Sequence, residues 1–359
     1  MKKYLLLTIL WSATLMVMYA QPERVGQSGA AELLFNNVPR SSALNGLNIG
    51  NSDGIESSFV NPAGVGTTEG TELLFSHTRW LIGSDIRVNC FGISQNLGDE
   101  RGVLGLAINA FNFGDIPRTT VAVPDGSLGT FRVTYLNLGL TYAKRFGERI
   151  YVGTTVRVIS ESTPEVSATG VALDAGVQYR AGDRDRLKLG IALRNVGPTM
   201  RFDGDGLTRR VLVNNNNDFT STVAFQSEDF ELPTQLSMSG SLDFFLGSSN
   251  TVTATAGFIS NSFYYNQGGL GLSYKYKEFV ILRASFLYEN GIFGETVGID
   301  GRYNAYTGLG TGATFQVPFK SGRRDSEGKD VYSNFSLDMS YRTTNPFGGT
   351  LVLGARIDI

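Results

Sequence analysis

One cysteine, Cys90, in 359 residues leaves no partner for an internal disulfide. That excludes the small secreted scaffolds in which bridges stand in for a core. One histidine, His77, is equally limiting. A lone His and a lone Cys do not make a usual transition-metal site. A hydrolase serine would have to find its base in His77, which sits in a predicted strand beside Phe75 and Trp80, and no G-x-S-x-G motif accompanies it. No enzymatic activity is expected, and no catalytic, cofactor or metal site. Asp203 and Asp205 with Gly204 and Gly206 loosely resemble a calcium loop, but such a cluster is expected to be a plain turn. Charged residues are scarce at 18%, below the usual quarter or so, and a net charge of −2 supplies no basic field for nucleic acid. Beyond residue 20 no run approaches about 18 apolar residues, so a membrane could be crossed there only by strands closed into a barrel.

What is present begins with Lys2 and Lys3, the apolar run Leu5 to Tyr19 and the small Ala20. This is the pattern of a secretory signal peptide over residues 1–20, cleaved before Gln21. Glycine and aromatics are abundant, with 44 Gly, 23 Phe and 15 Tyr. Such numbers suit a strand-rich protein with crowded inner faces and interfacial rings.

From Glu72 onward, apolar and polar residues alternate in segments of about ten, as in membrane strands. Leu187, Leu189, Ile191 and Leu193 share one face, and Lys188, Gly190, Ala192 and Arg194 the other. Val171, Leu173, Val177 and Tyr179 oppose Asp174, Gly176 and Gln178, while Leu282 and Phe286 oppose Arg283 and Ser285. Leu337, Met339 and Tyr341 oppose Asp338 and Arg342; Leu351, Leu353 and Ile357 oppose Gly354, Arg356 and Asp358. In each case the charges share a face with small residues. A narrow polar lumen inside a lipid-facing wall requires that arrangement, whereas a soluble sandwich would put the charges outside. Arg157, Lys188, Arg194, Arg283, Arg342 and Arg356, with Asp174, Asp338 and Asp358, are therefore expected inside, paired with one another and with a plug rather than lining an anion path.

Fourteen strands are predicted, at 71–78, 85–97, 102–112, 130–146, 150–160, 168–181, 186–195, 233–246, 250–260, 267–277, 279–290, 294–304, 333–342 and 350–359. An even number suits a bacterial barrel. Residues 310–319 also look like a strand, which either extends a neighbour or takes the place of one of these fourteen. Short turns at 147–149, 182–185 and 247–249 alternate with long links at 112–129, 160–167 and 196–232, as periplasmic turns alternate with external loops. The longest link contains Asn214 to Asn217, expected to be a solvated external loop.

Residues 21–70 do not alternate. They contain a helical pattern at Ala30 to Phe35, a glycine-rich stretch from Gly46 to Gly54, and the sequence SSFVNPAGVG. Arg40, Ser41, Ser42 and Ala43, then Asn51 to Gly54, then Phe59, Asn61, Pro62, Ala63 and Gly64 resemble the start of the PorV/PorQ family within the FadL-like barrels. FSHTRW from Phe75 is similar to that family's first strand, and the later ATGVALDAGVQY, LKLGIALRNVGPTMRF and SLDMSYRTTNPFGGTLVLGARI are similar to its central and closing strands. Leu44 and Asn45 depart from the family pattern, as does Ile359 in place of a terminal aromatic. The resemblance implies an all-β, fourteen-stranded transmembrane antiparallel barrel in the outer membrane, with residues 21–70 as a plug in its lumen and residues 71–359 as its wall. It further implies a role in type IX secretion in Bacteroidota, with the translocon or attachment-complex proteins and secreted cargo as partners beside outer-membrane lipid. A FadL-like transporter of hydrophobic compounds is the alternative.

Overall fold

The computed structural model describes residue 24 and residues 27–98, 100–213, 219–247, 249–294, 302–324 and 330–359. The expected signal peptide and the Asn214 to Asn217 run lie outside the described residues. Fourteen antiparallel strands close into one barrel, each bonded to its sequence neighbour and the last to the first. They are β1 (Thr71–Trp80), β2 (Ile86–Asn96), β3 (Val103–Asn112), β4 (Thr134–Phe146), β5 (Ile150–Ser162), β6 (Ser167–Ala181) and β7 (Leu187–Val196). The other half comprises β8 (Gln235–Leu246), β9 (Asn250–Asn261), β10 (Gln267–Tyr276), β11 (Val280–Glu289), β12 (Tyr306–Arg324), β13 (Asp330–Thr344) and β14 (Thr350–Asp358). β1 pairs with β14 from Glu72↔Asp358 to Arg79↔Leu351, which removes the sheet edge that an open sheet would leave unpaired.

The predicted strand at 294–304 is the one that fails. Residues 295–301 lie outside the described residues, and Gly294 and Tyr303 on either side are not strand. The twelfth strand is instead β12, which takes in the whole 310–319 stretch and pairs with β13 over most of its length. The alternation from Leu309 to Phe319 carries small partners, Gly310, Gly312 and Thr314, on the inner face. Segment 294–304 alternates too, but β12 is the strand that pairs with β11 on one side and β13 on the other. The predicted strand 130–146 also shortens: β4 starts at Thr134, and Thr130–Phe131 pairs with Ile116–Pro117 in a small separate hairpin. A second hairpin, Thr208–Val213 against Phe219–Ala224, rises from the longest link.

The outer surface of the wall is apolar. Leu136, Leu138 and Leu140 on β4, Val171 and Leu173 on β6, and Leu189, Ile191 and Leu193 on β7 are all exposed. Leaving a large apolar side chain in water forgoes about 1.5–3 kcal/mol, so a continuous belt of them calls for lipid. The chain ahead of β1 runs through the lumen as a 3-10 turn (Ala31–Leu34), a short helix α1 (Pro39–Ala43) and two further 3-10 turns (Ile55–Phe59 and Pro62–Thr67). Its apolar side chains meet small wall residues: Val38, Ile49, Ile55 and Phe59 cluster with Leu74, Cys90, Ala107 and Ala192. The core of this protein is therefore the contact between plug and inner wall.

Candidate functional site

Plug and wall fit through glycine. On β5, β6 and β7, inward Gly153, Gly176 and Gly190 lie against Pro62, Asn61 and Ile49–Gly50; a Cβ on Gly176 would stand 1.9 Å from Asn61 Oδ1, and one on Gly190 would stand 2.4 Å from Ile49 O. Only a residue without a side chain lets backbone approach backbone this closely. The plug motif exploits the contact. Asn61 caps the last 3-10 turn by accepting from Ala63 N at 3.1 Å, and its amide donates to Ile49 O at 2.9 Å and to Val177 O on the wall at 3.1 Å. Pro62 occupies the first position of that turn, where no N–H is needed. Ala63 is buried, Gly64 accepts from Gly54 N at 3.1 Å, and the carbonyl of the buried Phe59 accepts from Arg194.

The inward charges sort into distinct arrangements. Arg157 pairs with Asp174 at 2.7 Å and reaches Ser58 O of the plug at 3.3 Å. Asp174 also accepts from the backbone N of Asn195, a left-handed residue at a bulge in the β6–β7 register. A β-bulge of this kind re-aims a wall group toward the lumen. Lys188 pairs with Asp243 at 2.6 Å. Arg356 contacts Glu72 and Asp358 at 2.9 Å each and Asp53 of the plug at 3.3 Å. Asp338 takes its charge partner from the plug, Arg40 Nε, at 3.0 Å. Of the arginines expected inside from the sequence, three have no ion pair among the described residues: Arg194 donates to Phe59 O and Gln235, Arg283 donates to Thr314 at 2.6 Å, and Arg342 stacks on Tyr306 with 3.7 Å to the ring centre. Arg40, Asp53, Asp243 and Glu72 were invisible to the face-by-face reading. The first two lie in the non-alternating plug, and the others gain meaning only beside their partners.

Within the plug, burial opposes charge on Asp53, but the Arg356 and Arg40 guanidiniums prevail and hold its carboxyl well below the usual range. Burial pushes Glu56 up despite Arg40 and its bonds from Ser41 N and Oγ at 2.7 and 2.6 Å. Burial and the neighbouring Glu161 carboxylate push Glu32 up to about 8. Asp53, Glu56, Arg40 and Arg356, with Arg283 and Lys188, line a polar cavity of 500 Å³.

A second cavity, of 320 Å³, lies at the long-loop end between plug and wall. Phe35, Trp80, Tyr264, Tyr265, Leu287 and Ile292 are among its apolar and aromatic lining. Phe35 packs on Trp80 with ring centres 4.8 Å apart, and Trp80 donates to the Tyr306 hydroxyl at 3.1 Å, so this wall is fixed before any ligand arrives. Arg194, Arg342 and Glu289 bring charges of both signs to its lining. The alternation of single strands could not mark this cavity, because its residues come from the plug, eight strands and two links between strands.

The barrel can be set beside solved structures. The CymD monoaromatic hydrocarbon channel superposes with a TM-score of 0.50 at 12% identity, covering 90% of this chain and 97% of that one. A TodX monoaromatic hydrocarbon channel with two deletions gives 0.52 at 12% identity, over 89% and 97%. The fold is that of the FadL-like outer-membrane barrels. A FadL homologue of Pseudomonas aeruginosa also matches, with a TM-score of 0.44 at 12% identity over 93% of this chain and 97% of that one. No family model matches this sequence, and no curated protein does. At these identities the FadL-like likeness concerns architecture, and the neighbours that share it are channels rather than enzymes.

Proposed function

We propose that this FadL-like barrel binds hydrophobic small molecules in its outer cavity and passes them across the outer membrane, with the plug as the obstacle that must shift. The cavity carries this reading. Its 320 Å³ lies in the range of small-molecule sites, about 300–1,000 Å³, and an aromatic lining with a few polar groups is what such sites present. The neighbouring structures described as monoaromatic hydrocarbon channels support it. Trp80 gives the test a built-in probe, since the sequence has only one other tryptophan, Trp11 in the expected signal peptide. Titrating the purified barrel with toluene or a longer aromatic hydrocarbon should change Trp80 fluorescence saturably, and Ile292→Asp should abolish the response. A strictly linear, non-saturating response in the native protein would refute the proposal.

A second reading, a docking barrel of the PorV/PorQ type in type IX secretion, draws on one observation. The plug is tied to the wall by ion pairs at both Asp53 and Arg40, as suits a platform that stays shut. Deleting the gene separates the two. Loss of surface-displayed cargo with unchanged hydrocarbon uptake would favour docking, and the converse would favour transport.

A further inference from the structure

The outward face of the wall is uncharged except at one place in its long-loop half. Among the described residues, the outward positions there on β3 to β14 carry no Asp, Glu, Lys or Arg. On β1 and β2 they carry Arg79 and Arg87, both exposed and directly opposite each other in the register. Side chains in this relation have Cβ atoms about 4.5–5.5 Å apart, and like charges there repel. Among the described residues no carboxylate forms an ion pair with either; the residues paired to them on their other sides are Leu351 and Asn112. One step toward the membrane centre, His77 faces Asn89 and Nδ1 of its ring lies 2.8 Å from Asn89 Oδ1. One step further, Phe75 and Phe91 face each other, 52% and 45% exposed, beside the exposed Leu353.

We infer that this outer face of β1 and β2 binds a phosphorylated glycolipid of the outer leaflet, its phosphate between Arg79 and Arg87 and its acyl chains on Phe75, Phe91 and Leu353. Two opposed guanidiniums are tolerable where an anion bridges them, and guanidinium forks match phosphate oxygens. The order along the strands also fits. At about 3.4 Å per residue, Arg79 stands roughly 14 Å from Phe75, the step from a headgroup to the upper hydrocarbon. His77 and Asn89 fall between, at the level of a sugar. The long-loop end is the external end of such barrels, so the patch meets the leaflet that carries these lipids.

The full-length barrel, reconstituted in phosphatidylethanolamine nanodiscs, should be titrated with bis-phosphorylated lipid A and with its dephosphorylated form, reading bound lipid by native mass spectrometry. The phosphorylated form should bind, and Arg79→Gln/Arg87→Gln should weaken it by about tenfold to a hundredfold, the loss expected for charge-assisted contacts. Arg79→Lys/Arg87→Lys should retain part of the affinity and shows that a cation, not the fold, is lost. Lys144→Gln, which removes an outward charge at the short-turn end, should leave binding unchanged. Equal binding of the two lipid A forms, equal binding by the glutamine variant, or lipid-independent pairing of two barrels through this face would overturn the inference.

Discussion

Arg40 is the plug residue whose loss should matter most. Its side chain is 11% exposed and bonds Asp338 at 3.0 Å and Ser336 at 2.9 Å on β13, with Asp53 at 3.8 Å. Arg40→Ala leaves the 2% exposed Asp338 carboxylate without its counter-charge. Breaking a buried pair in this way costs about 3–5 kcal/mol, mostly as the penalty of the stranded ion. At about 1.4 kcal/mol per decade, the undocked plug population rises a hundredfold or more. The barrel ladder itself is untouched, so the effect belongs to docking rather than to folding. Hydrogen exchange at the Ser42, Gly46 and Ser52 amides, all bonded within the plug, reads that population in detergent. Arg40→Ala/Asp338→Asn should recover a large part of the protection, since the stranded charge has gone with its partner. If Arg40→Ala exchanges at these amides as slowly as the native protein, the ion pair does not hold the plug and the electrostatic account of docking fails.

Gly176→Val should undock the plug at Asn61 while barrel circular dichroism stays native, whereas Gly268→Ala, where an added Cβ meets only Gly257 O at 4.0 Å, should be silent in the same exchange measurement. Glu32, pushed up to about 8 from 4.5, holds its proton more tightly when the plug is docked. Docked-state stability should therefore fall as pH rises through that interval, and Glu32→Gln should flatten the pH dependence of thermal unfolding. A slope retained in that variant would assign the effect to other groups. Cys90 is 1% exposed under the plug, so a membrane-impermeant maleimide should label it only after the plug is displaced, as in Arg40→Ala; prompt labelling of the native protein would contradict the packing.

Period-two alternation was enough to assign inner and outer faces on most strands, because a strand's side chains have only two directions and lipid admits one kind of residue. That is why Lys188, Arg194, Arg283 and Arg356 could be placed inside before any pairing was known. The same reasoning misplaced the twelfth strand. Residues 294–304 and 306–324 both alternate, and a local pattern carries no information about which of them finds β11 on one side and β13 on the other.

Tertiary structure alone decided the rest. Asp338 meets Arg40 across 298 positions, Lys188 meets Asp243 rather than a charge on its own strand, and Gly176 is glycine because Asn61 lies against it. The outer cavity joins Phe35 of the plug to Leu287 of β11, and the opposed Arg79 and Arg87 become one feature only when the β1–β2 register is fixed. The sequence determined which side of the wall each residue faces, since that follows from the chain's own geometry and its solvent. It left open which residues meet across the lumen, since that is set by closure of the barrel around a segment with no repeating pattern.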